Sequence, residues 1–147
     1  MSSGSGLHVL NYTVRFGDCD PAGIVYFPRF FDLFHQAMET WFPAELGFGY
    51  DEFVRGRKLG FPAVRSEADF QRPSRFGETI AIQLRVTRLG RSSIAFAYAI
   101  LGPQGEPRVG GASVCVCMDL DPSSPRHGKG VELPADLRAR IEAFGVG

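Results

Sequence analysis

The stretch Phe27-Pro28-Arg29-Phe30-Phe31-Asp32-Leu33-Phe34-His35-Gln36-Ala37-Met38-Glu39-Thr40-Trp41-Phe42 decides the fold. At 100° per residue, Phe27, Phe30, Phe31, Phe34, Ala37, Met38, Trp41 and Phe42 gather on one side. Arg29, Asp32, Gln36, Glu39 and Thr40 fall on the other. Pro28 suits a first helical turn, where a missing N–H costs nothing, and the next break is Pro43. The spacing predicts one long helix with five or more large aromatics on one face. Such a face needs a concave sheet to cover it.

Strand patterns lie on both sides of this helix. Leu7 to Phe16 alternates well enough for a strand. Four further runs follow, Pro62–Gln71, Thr79–Leu89, Ser92–Leu101 and Arg108–Leu120. Ile80/Ile82/Leu84/Val86 and Ile94/Phe96/Tyr98/Ile100 each give an apolar face of period two. The gaps at Gly90-Arg91 and Gly102-Pro103-Gln104-Gly105 are short enough for hairpins, so the four runs read as an antiparallel meander. A short helical piece over Tyr50 to Arg57 and a terminal helix over Ala135 to Phe144 complete the pattern. The fold class is α+β: one antiparallel sheet curled around a central helix, with an edge or outer face left for a second copy.

The chain has 147 residues, about one average domain. Residues 1–6, Met-Ser-Ser-Gly-Ser-Gly, read as a flexible leader without the basic and apolar regions of a signal peptide; residues 7–147 read as a single domain. Sixteen basic and sixteen acidic side chains cancel, which argues against a nucleic-acid partner. No apolar run is long enough to span a membrane. Three cysteines make no disulfide framework, and with no membrane or export signal the expected location is cytoplasmic. No His or Cys pair has metal-ligand spacing, and no glycine-rich loop has nucleotide-binding spacing, so neither a metal nor a cofactor is expected.

The densest chemical spot is Gly17-Asp18-Cys19-Asp20-Pro21-Ala22-Gly23, directly before the helix. Unpaired N–H groups at a helix start polarise a carbonyl oxygen, and Asp20 beside them could attack that carbonyl or activate water. The same residues also make an ordinary turn, with Asp18 the better turn or cap residue. Arg88, Gly90, Arg91, Ser92 and Ser93 form a tight basic turn that reads as a phosphate cradle or as a solvated hairpin. His35, on the border between the two helix faces, reads as a flank residue.

The run from Phe16 to Pro28 resembles the signature of the 4-hydroxybenzoyl-CoA thioesterase branch of hot-dog-fold proteins. The likeness continues through Gly60-Phe61-Pro62, the run from Asp69 to Glu78 and the Arg88–Ser93 turn. It implies a long helix wrapped by a curved antiparallel sheet, paired into homodimers and often homotetramers. It implies an acyl-CoA thioesterase acting on a benzoyl- or hydroxybenzoyl-type ester, with no cofactor. Asp20 would be the catalytic carboxylate, the Phe27 N–H would polarise the thioester carbonyl, and Gly23 would let the chain turn close to the substrate. Tyr26 would border the acyl group, and Arg88, Arg91, Ser92 and Ser93 would bind the CoA phosphates. The aromatic-acyl members carry a tyrosine at position 27 and a tryptophan at position 26, so the acyl pocket differs here. A short aliphatic acyl-CoA, or a binding module without turnover, are the other readings.

Overall fold

A computed structural model describes residues 4–147. The first three residues of the leader lie outside the described residues. Gly6, at its end, donates its N–H to the Phe144 carbonyl at 2.8 Å.

Strand β1 (His8–Thr13) leads through the aspartate loop into helix α1 (Pro28–Trp41). Phe30, Leu33, Phe34, Ala37, Met38 and Trp41 are buried along α1. The apolar stripe is therefore rotated slightly from the sequence reading: Leu33 joins it, Phe31 is half-buried, and Phe27 is 56% exposed because it stands at the cap. Pro43 has no N–H to give, and the backbone widens into a π-type turn over Phe42–Leu46, closed by Gly47 at φ +86°. A second turn of this kind (Glu52–Gly56) falls inside the short helical piece read between residues 50 and 57.

The remaining strands are β2 (Leu59–Gly60), β3 (Ala63–Phe70), β4 (Thr79–Leu89), β5 (Ser93–Leu101), β6 (Pro107–Val116) and β7 (Met118–Asp119), followed by α2 (Ala135–Phe144). The main sheet has the order β1-β4-β5-β6-β3, and β2 pairs with β7 in a small ladder. The meander holds for β4, β5 and β6 only. Strand β3 crosses over to pair antiparallel with β6 and forms the sheet edge, and the connection from Gln71 to Glu78 runs along the loop before α1, where the Ser74 carbonyl accepts the Val25 N–H. Its residues are exposed on both faces apart from half-buried Ala68.

The helix lies across the concave face. The Phe34 ring stacks on Tyr98 at 4.4 Å, and Trp41 meets Phe42, Phe96 and Phe144 edge to face at 5.3–5.6 Å. Gly111 sits where Phe34 presses on the sheet, and a Cβ there would collide with the ring. Burial at this seam stabilises the fold by about 25 cal/mol per Å² of apolar surface removed from water. Among the described residues, no helix is long and apolar enough to cross a membrane.

Candidate active site

Asp18, only 4% exposed, is the anchor of the loop between β1 and α1. Its Oδ2 accepts hydrogen bonds from the Tyr12 hydroxyl at 2.7 Å and the Arg15 N–H at 2.8 Å. Its Oδ1 accepts from Arg29 Nε at 3.2 Å and Nη2 at 2.9 Å, which ties strand, loop and helix start together. Burial pushes the carboxyl upward, but these hydrogen bonds outweigh it and hold its pKa below the ordinary aspartate value.

With Asp18 fixed, the chain folds back on itself two residues later. Asp20 N–H donates to the Ile24 carbonyl, and Gly23 N–H to the Asp20 carbonyl, each at 2.9 Å. Gly23 takes φ +79°, a conformation that a side chain would strain. Asp20 Oδ1 accepts the Ala22 N–H at 2.9 Å, so one carboxylate oxygen sets the side-chain direction and Oδ2 stays available. The half-buried Asp20 faces a cleft of about 480 Å³ walled by Phe16, Cys19, Gly23 and Phe76.

The other side of the same turn leads to the helix. Val25 N–H donates to the Ser74 carbonyl at 2.8 Å, and Tyr26 N–H to the Asp18 carbonyl at 2.9 Å. The Phe27 N–H meets no acceptor among the described residues, and Pro28 has none to offer, so the positive end of α1 is open. Phe27 lines a second cleft, about 250 Å³, with Ile24, Phe30, Phe70 and Arg72. Tyr26, Phe27, Phe70 and Phe30 form a chain of ring contacts at 5.5–6.0 Å along its rim. Asp20, Gly23, Tyr26 and Phe27 therefore belong to one short loop, with Asp20 lining one hollow and Phe27 the other.

The basic turn is elsewhere. Arg88 and the residues through Ser93 lie at the far end of β4 from Gly77 and Glu78, which pack against Val14 beside the loop. Eleven residues of strand span about 35 Å, so within one chain Arg88, Arg91, Ser92 and Ser93 do not meet Asp20. The turn is well supported: Arg138 Nη2 donates to the Gly90 carbonyl at 2.6 Å, and Ser92 accepts the Cys117 N–H at 2.7 Å. Arg91 faces Glu132 at 3.8 Å on the surface.

Reading residue by residue assigns no role to Phe70, Phe76 or the Arg108 clamp. Exposed rings at Phe70 and Phe76 are the signal that could have found the first two. Arg108 is buried and binds Glu78 through both nitrogens, at 2.9 and 3.0 Å, and also Glu106 and the Pro73 carbonyl. The guanidinium holds the Glu78 carboxyl down at about 2, and the clamp fixes the segment that receives Val25. Burial pushes the Cys115 and Cys117 thiols up to about 11, so neither is a thiolate at neutral pH. Among the described residues, no three His, Cys, Asp or Glu side chains converge as a metal site.

Residues 14–141 match the family model described as thioesterase-like superfamily. A 1,4-dihydroxy-2-naphthoyl-CoA hydrolase of Synechococcus elongatus is 34% identical over 107 residues, which cover 72% of this chain and 77% of the relative. The hydrolase of that name from Prochlorococcus marinus strain MIT 9303 is 34% identical over 95% of this chain and 92% of its own. A crystal structure of a thioesterase superfamily protein from Jannaschia sp. CCS1 superimposes with a TM-score of 0.83 at 29% identity, covering 94% of this chain and 92% of that one.

Proposed function

This chain belongs to the thioesterase-like superfamily and is a thioester hydrolase, and from that premise we propose that it cleaves an aromatic acyl-CoA to the free acid and CoA. The observation that carries the proposal is the single loop that offers a half-buried carboxylate on one side and an unpartnered helix-start N–H on the other. The thioester carbonyl oxygen accepts from the Phe27 N–H, which stabilises the charge that develops on it as the carbon is attacked. Asp20 Oδ2 either adds to that carbon, giving an anhydride that water opens, or takes the proton of the attacking water. In both routes the C–S bond breaks, the thiolate leaves as CoA, and water supplies the acid's second oxygen. A thioester lacks amide resonance, so a carboxylate and an N–H donor suffice. Gly23 keeps Cβ atoms away from the approaching ester.

The aromatic rim of Tyr26, Phe27 and Phe70 supports an aromatic acyl group, in keeping with the naphthoyl ester named for the cyanobacterial relatives. The Arg88–Ser93 turn, too distant from its own loop, serves the CoA phosphates at a neighbouring subunit's site. A thiol-release assay over benzoyl-, 4-hydroxybenzoyl-, 1,4-dihydroxy-2-naphthoyl- and short aliphatic acyl-CoA tests this. Release favouring aromatic esters is expected; release favouring aliphatic esters would overturn the acyl assignment.

A further inference from the structure

Arg108, on strand β6, is 7% exposed, and its guanidinium grips the connection between β3 and β4. Nη1 donates to the Pro73 carbonyl at 2.8 Å, to Ser74 Oγ at 3.2 Å and to Glu78 Oε1 at 2.9 Å. Nη2 donates to Glu78 Oε2 at 3.0 Å and to Glu106 Oε1 at 2.9 Å. The Arg108 carbonyl accepts the N–H groups of Gln71 and Arg72 at 2.9 and 3.2 Å. Glu78 Oε1 also accepts the Arg75 N–H at 2.6 Å, which closes the connection on itself. A buried cation held by two carboxylates and two further oxygens cannot shift without leaving charge unpaired, so the bracket is rigid. The sequence makes room for it: a Cβ at Gly102 would overlap both Glu106 and Arg108.

The same connection carries the loop that holds Asp20. The Ser74 carbonyl accepts the Val25 N–H at 2.8 Å, Arg75 bridges to Ile24, and the Glu78 carbonyl accepts the Val14 N–H at 2.8 Å. Ile24 in turn receives the Asp20 N–H on its carbonyl at 2.9 Å, and Phe27 stands two residues beyond Val25. Val25 therefore lies between the carboxylate and the open N–H. Its anchor, Ser74, is the residue that the guanidinium holds through the hydroxyl and through the preceding carbonyl.

We propose that Arg108 is a positioning residue for thioester cleavage: by holding Ser74 against Val25 it sets the Asp20 carboxylate and the Phe27 N–H relative to each other, without touching substrate. This rests on the thioesterase reading above and adds a residue outside the loop on which turnover depends. Misplacing reacting groups by about 1 Å costs about a hundredfold in rate, and the loss falls on the transition state rather than on ground-state binding.

Arg108→Lys keeps the positive charge, so Glu78 and Glu106 retain a counter-ion. One ammonium, however, cannot span the Pro73 carbonyl, both Glu78 oxygens and Glu106 as the planar fork does. On 1,4-dihydroxy-2-naphthoyl-CoA and benzoyl-CoA alike, the variant should lower kcat about tenfold to a hundredfold and change KM less than about twofold. The isosteric Glu78→Gln weakens the grip from the connection itself and should show the same split, so the test survives if Arg108→Lys does not fold. Glu106 binds the guanidinium from the β5–β6 hairpin and is not part of the connection, so Glu106→Ala should lower Tm and leave kcat unchanged. Wild-type kcat in folded Arg108→Lys and Glu78→Gln, or a loss in Glu106→Ala as large as theirs, would overturn the proposal. If wild type releases no thiol from either ester, the thioesterase reading fails on its own, and amide exchange followed by NMR decides the bracket. The Val25 N–H should exchange at least about tenfold faster in Arg108→Lys or Glu78→Gln than in wild type or Glu106→Ala, the worth of one hydrogen bond, while the β5 amides keep their rates. An unchanged Val25 rate would refute it.

Discussion

Asp18→Asn separates the two aspartates of the loop. The replacement turns one acceptor oxygen into an NH2 group. If that group faces Tyr12 and Arg15, two donors confront a donor; if it faces Arg29, the charged pair is lost. Either way two hydrogen bonds to a buried anion disappear. Bonds to charged groups are worth about 1.5–3 kcal/mol each, and the Arg29 share is reduced by solvent because its side chain is 43% exposed. The expected loss is about 2–4 kcal/mol, a fall in Tm of about 5–15 °C at this chain length. Because folding lowers the Asp18 pKa, its stabilisation is present above the unfolded value of 3.8 and is lost as pH falls through the folded value. Urea titrations at pH 7 and pH 3 should therefore show the variant's deficit shrinking in acid. Asp20→Asn, by contrast, should shift stability by less than about 1 kcal/mol, since its one side-chain bond to Ala22 is kept by the amide oxygen. An Asp18→Asn protein as stable as wild type at pH 7 would refute the view that Asp18 braces the loop.

Trp41→Ala should cost about 3–5 kcal/mol in denaturant melts, because the indole is fully buried among three rings. Trp41→Phe should cost visibly less, since the Trp41 Nε1 has no hydrogen-bond partner to lose; equal costs would contradict this packing. Gly111→Ala should destabilise by about 1–3 kcal/mol through its collision with Phe34, and a neutral result would mean that helix and sheet lie further apart. Arg91→Ala should raise KM for CoA esters several-fold and leave a short thioester without the nucleotide unaffected; equal effects on both would remove the turn from phosphate binding.

Much of the fold was legible because it is written locally. The 3.6-residue spacing of the α1 stripe and the two-residue spacing of β4 and β5 are set by side chains within a few positions of one another. The partnering of β3 with β6 was not legible, since it joins residues 39 to 52 positions apart and no turn signal records it. At the site, the loop from Gly17 to Gly23 announced itself by its carboxylates and glycines. Which aspartate braces and which faces the cleft depended on Tyr12 and Arg29, contacts that cross two elements. The burial of Arg108 was hidden for the same reason: its carboxylate partner Glu78 lies thirty residues earlier. The separation of the basic turn from Asp20 follows from the length of β4, yet only the pairing of β1 with β4 shows which end of the strand lies beside the loop.

The most direct test of the central claim is free-thiol release from aromatic acyl-CoA by wild type and Asp20→Asn side by side, with folding checked by circular dichroism. The account predicts turnover by wild type and a loss of at least about a hundredfold in the folded variant, the least that removal of a positioned carboxylate should cost. A folded Asp20→Asn enzyme with its rate intact would contradict it.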